Sequence, residues 1–214
     1  MIPAQEALER LKEGNSRFVS DIRGEHVITN QSRRNELVAS QEPFAIILGC
    51  SDSRVPAEIV FDQGLGDLFV IRVAGNIVAP SQIGSIEFAA ERYGTQLVVV
   101  LGHSSCGAVL ATVEELERPD ETRSPNLSSI VDRIRPSVQT LLETELRHDH
   151  DALVRHAIRA NIRTSVNQLR HGSPILEKLA QEKKLMIVGA EYSLDTGAVE
   201  FFDESHGSGV SEFN

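Results

Sequence analysis

Four short apolar runs leave this chain few ways to fold: Phe44-Ala-Ile-Ile-Leu-Gly-Cys50, Asp67-Leu-Phe-Val-Ile-Arg-Val73, Gln96-Leu-Val-Val-Val-Leu-Gly102 and Lys184-Leu-Met-Ile-Val-Gly-Ala190. None shows the polar alternation of a strand with one wet face, so each reads as a strand buried on both sides of a parallel sheet. Ile83 to Tyr93 and Gly107 to Leu116 carry apolar residues at helical spacing. Strands alternating with helices make an α/β protein. After a charged loop, Glu117 to Asn126, the stretch from Leu127 to about Gly172 reads as two long helices broken near His148 to Asp151, and a short helix follows. Ala198-Val-Glu-Phe-Phe202 pairs with the fourth run as an edge hairpin through Asp195-Thr-Gly197. Ala7, Leu8, Leu11 and Phe18 mark an amphipathic N-terminal helix that needs a surface. The expected architecture is a mostly parallel four-stranded sheet extended by an antiparallel edge strand and flanked by helices, with an extended N-terminal helix. No Pro-, Gly- or Ser-rich linker divides the middle, so a single domain over 1–214 is expected, with a helical arm at 1–35 and a flexible tail at 205–214.

Charge narrows the partners. Lys and Arg number 21 against 31 Asp and Glu, a net charge of -10 that repels nucleic acid and anionic membrane surfaces. The opening MIPAQEALERLKEGNSRF lacks the basic and apolar regions of a signal peptide, and no apolar run spans a bilayer, so the expectation is a cytoplasmic protein. Two cysteines in a reducing compartment are poor material for a disulfide framework, which leaves thiol, catalytic or metal roles.

Cys50 and Cys106 both lie where an apolar run gives way to a polar loop, the edge at which open parallel sheets bind ligands. His103 and Cys106 are separated by two residues, a spacing that lets two side chains meet on one ion, with Cys50 as a third ligand. Spacing alone leaves a second reading open, a buried thiol beside a satisfied histidine. Asp52 and Arg54 follow Cys50 closely. Such a pair braces loops as readily as it serves a metal.

Cys50-Ser-Asp-Ser-Arg-Val-Pro56 and Gly102-His-Ser-Ser-Cys-Gly107, supported by Phe69-Val-Ile-Arg-Val-Ala-Gly-Asn76 and Gly84-Ser-Ile-Glu-Phe88, resemble the β-class carbonic anhydrases. The resemblance covers most of residues 43 to 113 and, more loosely, the rest. It implies one Zn2+ per chain held by Cys50, His103 and Cys106, with water, hydroxide or the Asp52 carboxylate in the fourth position. Asp52 and Arg54 become the catalytic dyad. Gln41, Phe69, Phe88 and Gly107 become the substrate pocket, with the two phenylalanines contributed across the interface of a homodimer or dimer-based tetramer. Many relatives carry Tyr at position 88, a hydroxyl this chain lacks. Gly49, Val55, Arg72 and Tyr192 match the bicarbonate-regulated subtype, whose closed state places Asp52 on zinc; Ile47 departs from it, since the best-matching regulated relatives have Trp there.

The implied reaction is the reversible hydration of carbon dioxide to bicarbonate and a proton. Two thiolates and an imidazole leave the zinc centre formally neutral, so its water is less acidic than in a three-histidine site and activity should rise into the alkaline range. Two rival readings stand beside this one. A closed Cys50, His103, Cys106 and Asp52 site would be purely structural, although such a site has no need of Arg54. A redox thiol enzyme would want a Cys-x-x-Cys pair, which the chain does not have. His148-Asp-His-Asp151 reads as a solvated turn, Gly64-Leu-Gly66 as a turn without the third glycine of a dinucleotide fingerprint, and Ser104 and Ser105 lack a nucleophile elbow.

Overall fold

The apolar runs all become strands. The computed structural model describes residues 1–22, 31–117 and 124–202, so the tail expected at 205–214 lies outside the described residues, as does 23–30 of the arm. β1 (Ala45–Gly49), β2 (Leu68–Arg72), β3 (Leu97–His103), β4 (Met186–Tyr192) and β5 (Val199–Phe202) form one sheet in the order β2-β1-β3-β4-β5. Neighbours among the first four are parallel and β5 runs antiparallel to β4. This is the expected architecture.

Both sheet faces are covered, which is why β1 and β3 are buried along their whole length. On one face Ile46, Leu48, Val98 and Val100 pack with Ile86 and Ala89 of α4 (Pro80–Tyr93), Val109 and Val113 of α5 (Gly107–Glu117), Ile134 of α6 (Pro125–Leu142) and Leu153 and Ile162 of α7 (His150–His171). On the other, Ile47, Val99 and Leu101 meet Leu8 and Leu11 of α1 (Ala4–Val19) and Phe61 beyond α3 (Ala57–Val60). The remaining helices are α2 (Gln31–Leu37) and α8 (Pro174–Gln181). α3 is a single turn behind Pro56, too short for apolar spacing to signal. The break at His148 to Asp151 is a helix start: the Asp149 carboxylate accepts the Ala152 N–H at 2.9 Å and caps α7.

The connection from β1 leads out to β2, whereas β3 leads to β4 on the other side, so the carboxyl ends of β1 and β3 flank the switch point of the sheet. Cys50 and His103 sit there.

The N-terminal helix finds its surface within its own chain. Ala7, Leu8 and Leu11 are fully buried against the sheet, and the Arg17 guanidinium pairs with Asp62 at 2.6 Å. Asn15 donates to the carbonyls of Val60 and Gly197 and accepts the Val199 N–H at 2.8 Å, tying α1 to α3 and to the β4–β5 hairpin. α1 approaches so closely that a Cβ on Gly14 would lie 1.9 Å from the Phe61 carbonyl oxygen. The Gln63 side chain nearby could shift but the Phe61 backbone cannot, so Gly14→Ala should destabilise the fold by about 1–3 kcal/mol or more. A lower urea midpoint with unchanged m-value would register this.

Candidate metal centre

Three donors converge from two strand ends. Cys50 follows β1, His103 is the last residue of β3, and Cys106 precedes α5 after a tight turn in which Ser105 takes a left-handed φ of 55°. All three are buried, and their ligand atoms lie within 4.8 Å of one another. Among the described residues this is the one group of three or more His, Cys, Asp or Glu side chains placed to hold a metal ion. The His103 Nδ1–H donates to the Ser104 carbonyl at 2.9 Å, which leaves Nε2 as the bare nitrogen, and that buried Nε2 has no hydrogen-bond partner. An orphaned buried nitrogen facing two sulfurs is what a metal ligand looks like without its ion.

The electrostatics point the same way. The Cys50 thiol is drawn down to about 4 by the hydrogen bond from Cys106, against the opposing effect of burial and with help from His103 and the Gly75 N–H. Cys106 is pushed far up by its bond to Cys50, by burial and by the negative charge beside it. Burial lowers the basicity of the His103 ring, but the nearby Cys50 sulfur and its negative charge outweigh it. One proton leaves the sulfur pair readily; the second needs a cation. Two soft thiolates and an imidazole suit zinc, with one tetrahedral position left over.

Beside this set, Asp52 is gripped by Arg54 in a fork. Nε donates to Oδ1 at 2.9 Å and Nη2 to Oδ2 at 2.7 Å, while the Arg54 backbone N–H adds a bond to Oδ1 at 3.0 Å. That grip, led by the side-chain hydrogen bond, holds the carboxyl well below the usual carboxylate range. Oδ2 lies 3.8 Å from His103 Nε2, so the carboxylate stands at the mouth of the site. The loop beneath is anchored by Arg72, whose guanidinium donates to the carbonyls of Cys50 at 2.9 Å and Asp52 at 2.5 Å. The sequence did not reveal this bracing role. Gly49↔Arg72 register across β1 and β2 is the signal that would have suggested it.

The other expected site residues fall into separate groups. Gly107 opens α5 with free space where a Cβ would be. Phe69, Phe88 and Tyr93 form an aromatic cluster with centroids 5.6–6.4 Å apart, and Gln41 donates to the Tyr93 hydroxyl at 3.0 Å. Phe69 is paired with Ile46, four residues before Cys50, hence roughly 13 Å from the metal donors of its own chain at strand rise. Val55 and Tyr192 are buried with Ile47 on the α1 face of the sheet, where burial raises the tyrosine hydroxyl's pKa, whereas the Arg72 guanidinium is held at the loop carbonyls.

Fold and donor set together define an α/β protein with a thiolate–imidazole metal site at its sheet's switch point. The family model described as carbonic anhydrase matches residues 45–199. Carbonic anhydrase 2 of Mycobacterium tuberculosis is 40% identical over 200 residues, 89% of each chain, and the carbonic anhydrase of Mycolicibacterium smegmatis is 38% identical over 208 residues, 96% of each. A chain of the tetrameric β-carbonic anhydrases of the ascomycete Sordaria macrospora superposes with a TM-score of 0.72 at 23% identity, covering 81% of this chain and 87% of that one. The chain belongs to the carbonic anhydrase family, in its β class.

A metal ion held by these three donors would stabilise the folded state by mass action. Chelation should therefore lower the melting temperature of the purified protein by several degrees, with recovery on adding zinc. Cys106→Ser should drop the zinc content below one per chain, as read by elemental analysis.

Proposed function

We propose that the chain holds one zinc ion through Cys50, His103 and Cys106 and interconverts carbon dioxide and bicarbonate, with Asp52 and Arg54 acting directly on the reactants. The observation that supports it is the forked Asp52 carboxylate, ionised and 3.8 Å from the free His103 nitrogen. When bound, zinc supplies the Lewis acidity that produces hydroxide from water near neutral pH. Asp52, with no proton of its own, accepts the hydroxide's hydrogen and turns an oxygen lone pair towards the carbon. Hydroxide then adds to carbon dioxide to give bicarbonate, and the proton lost from water leaves to solvent. Arg54 keeps the carboxylate ionised and aimed.

A second state of the same residues follows from this arrangement. Released by Arg54, the Asp52 carboxylate, whose Oδ2 lies 3.8 Å from His103 Nε2, would be near enough to join Cys50, His103 and Cys106 in holding the ion. Rising pH supplies more hydroxide to compete with it, so activity climbs on the alkaline side. An ion ligated by Cys50, His103, Cys106 and one water at both acid and alkaline pH, seen by crystallography, would exclude this switch.

Stopped-flow carbon dioxide hydration tests the reading. The zinc-loaded protein should hydrate carbon dioxide with a rate rising towards about pH 9, and Asp52→Ala should keep its zinc while losing about 10²-fold or more in kcat. One zinc per chain with no hydration at any pH would leave a structural site instead.

We also propose a homodimer, or a tetramer built from dimers. Phe69 sits on edge strand β2 far from its own chain's metal donors, and Phe88 is 51% exposed, a large apolar surface that a second copy would cover. The pocket residues Gln41, Phe69 and Phe88 would then face the partner's metal centre. Phe88→Arg should convert the assembly to smaller species in sedimentation velocity and lower kcat/KM while leaving zinc content intact. For location we favour the cytoplasm, where the two cysteines stay free to bind metal; among the described residues no helix is long and apolar enough to cross a membrane.

A further inference from the structure

Behind Cys50 the chain makes a 3-10 turn at Ala74–Asn76 that carries two consecutive left-handed residues, Gly75 with φ 71° and Asn76 with φ 43°. The Gly75 N–H points at Cys50 Sγ, 3.3 Å away. This N–H is a backbone hydrogen bond to a metal-donor sulfur, and its direction depends on how the turn is held. A Cβ on Gly75 would meet Ile134 Cδ1 at 2.7 Å and Ala108 Cβ at 3.1 Å, so the turn is packed against α6 and α5 as well. Gly75 takes its left-handed φ freely, whereas Asn76 carries a conformational cost that its surroundings must offset.

α7 holds the turn. Asn161 Nδ2 donates to the Gly75 carbonyl at 2.8 Å and Ser165 Oγ to the Asn76 carbonyl at 3.0 Å. The two side chains are four residues apart, one above the other on a helix face, and both are buried. They pin successive peptide carbonyls of the turn that presents the Gly75 N–H to Cys50. Apolar side chains of the same helix, Leu153, Ile158 and Val166, pack into the core.

We infer that Asn161 and Ser165 are positioning residues of the metal centre, acting through the Ala74–Asn76 turn to keep the Gly75 N–H on the Cys50 sulfur. An N–H bond to a thiolate withdraws charge from sulfur and fixes where its lone pairs point. Such outer partners are worth about 10–100-fold in metal affinity or activity. The inference rests on the three-donor metal reading, and the test separates the two.

The probe is cobalt(II), added to metal-free wild type, Asn161→Leu, Ser165→Ala and the core control Val166→Ala. Leucine keeps the branched heavy-atom skeleton of Asn161 but is bulkier and cannot donate; Ser165→Ala removes a single hydroxyl and protects the test should Asn161→Leu fold poorly. In wild type a thiolate-to-cobalt charge-transfer band should appear. In Asn161→Leu and, less strongly, Ser165→Ala, the band should move to longer wavelength and the cobalt dissociation constant, from chelator competition, should rise about tenfold or more. Val166→Ala should lose stability with band and affinity unchanged. Asn161→Leu and Ser165→Ala behaving like that control would overturn the inference and leave the metal centre standing. A wild-type protein with no thiolate band would overturn both.

Discussion

Two sulfurs packed beside an imidazole, away from water, cannot all take their metal-binding forms without a cation. That constraint organises this protein. Cys50 ionises easily only because Cys106 remains a thiol and donates to it. Removing the second proton would set two negative charges side by side at low dielectric, which an ion of charge two relieves. The neighbouring groups fit that requirement: His103 is held in the tautomer that bares Nε2, the Gly75 N–H meets Cys50, and Arg54 rather than another cation neutralises Asp52.

The fold answers a geometric demand, which is to bring donors from residues 50, 103 and 106 to one point without loops long enough to wander. Parallel neighbours β1 and β3 do so because their carboxyl ends lie side by side, Gly49 opposite Leu101. Burial on both faces makes those strand ends rigid. The polar turns that follow are braced from outside the strand pair by Arg72 of β2 on one side and by the Ala74–Asn76 turn on the other.

How much of this the sequence made legible depends on the range of the signal. Strands β1 to β4 were visible because double-sided burial writes itself as an unbroken apolar run, and the donors because they interrupt those runs at their ends. The surface for α1 was not: Ala7, Leu8 and Leu11 demand an apolar face, but nothing local says whether it belongs to the same chain or to a second copy. The sheet of the same chain supplies it. Asn161 and Ser165 were invisible for a related reason. They act on carbonyls 86 and 89 residues away, and a neutral polar residue on a helix reads the same whether it meets water or a buried turn. Arg72 is legible in sequence only by its likeness to a residue of the regulated subtype, and the hold of its guanidinium on the carbonyls of the donor loop has no local signal.

That last bracing bears on how Asp52 can change partners. Its carbonyl is bound both by Arg72 and by the Val55 N–H at 3.1 Å, so the backbone on which the carboxylate is mounted is fixed from two directions. The carboxylate itself has Arg54 on one side, a side chain half exposed to solvent, and the three-donor centre on the other. Exchange between the two therefore asks for side-chain rotations at positions 52 and 54 and no movement of the loop, a change of rotamer rather than of fold. Under the function proposed above, an exchange of that kind would leave Cys50, His103 and Cys106 where the strands hold them.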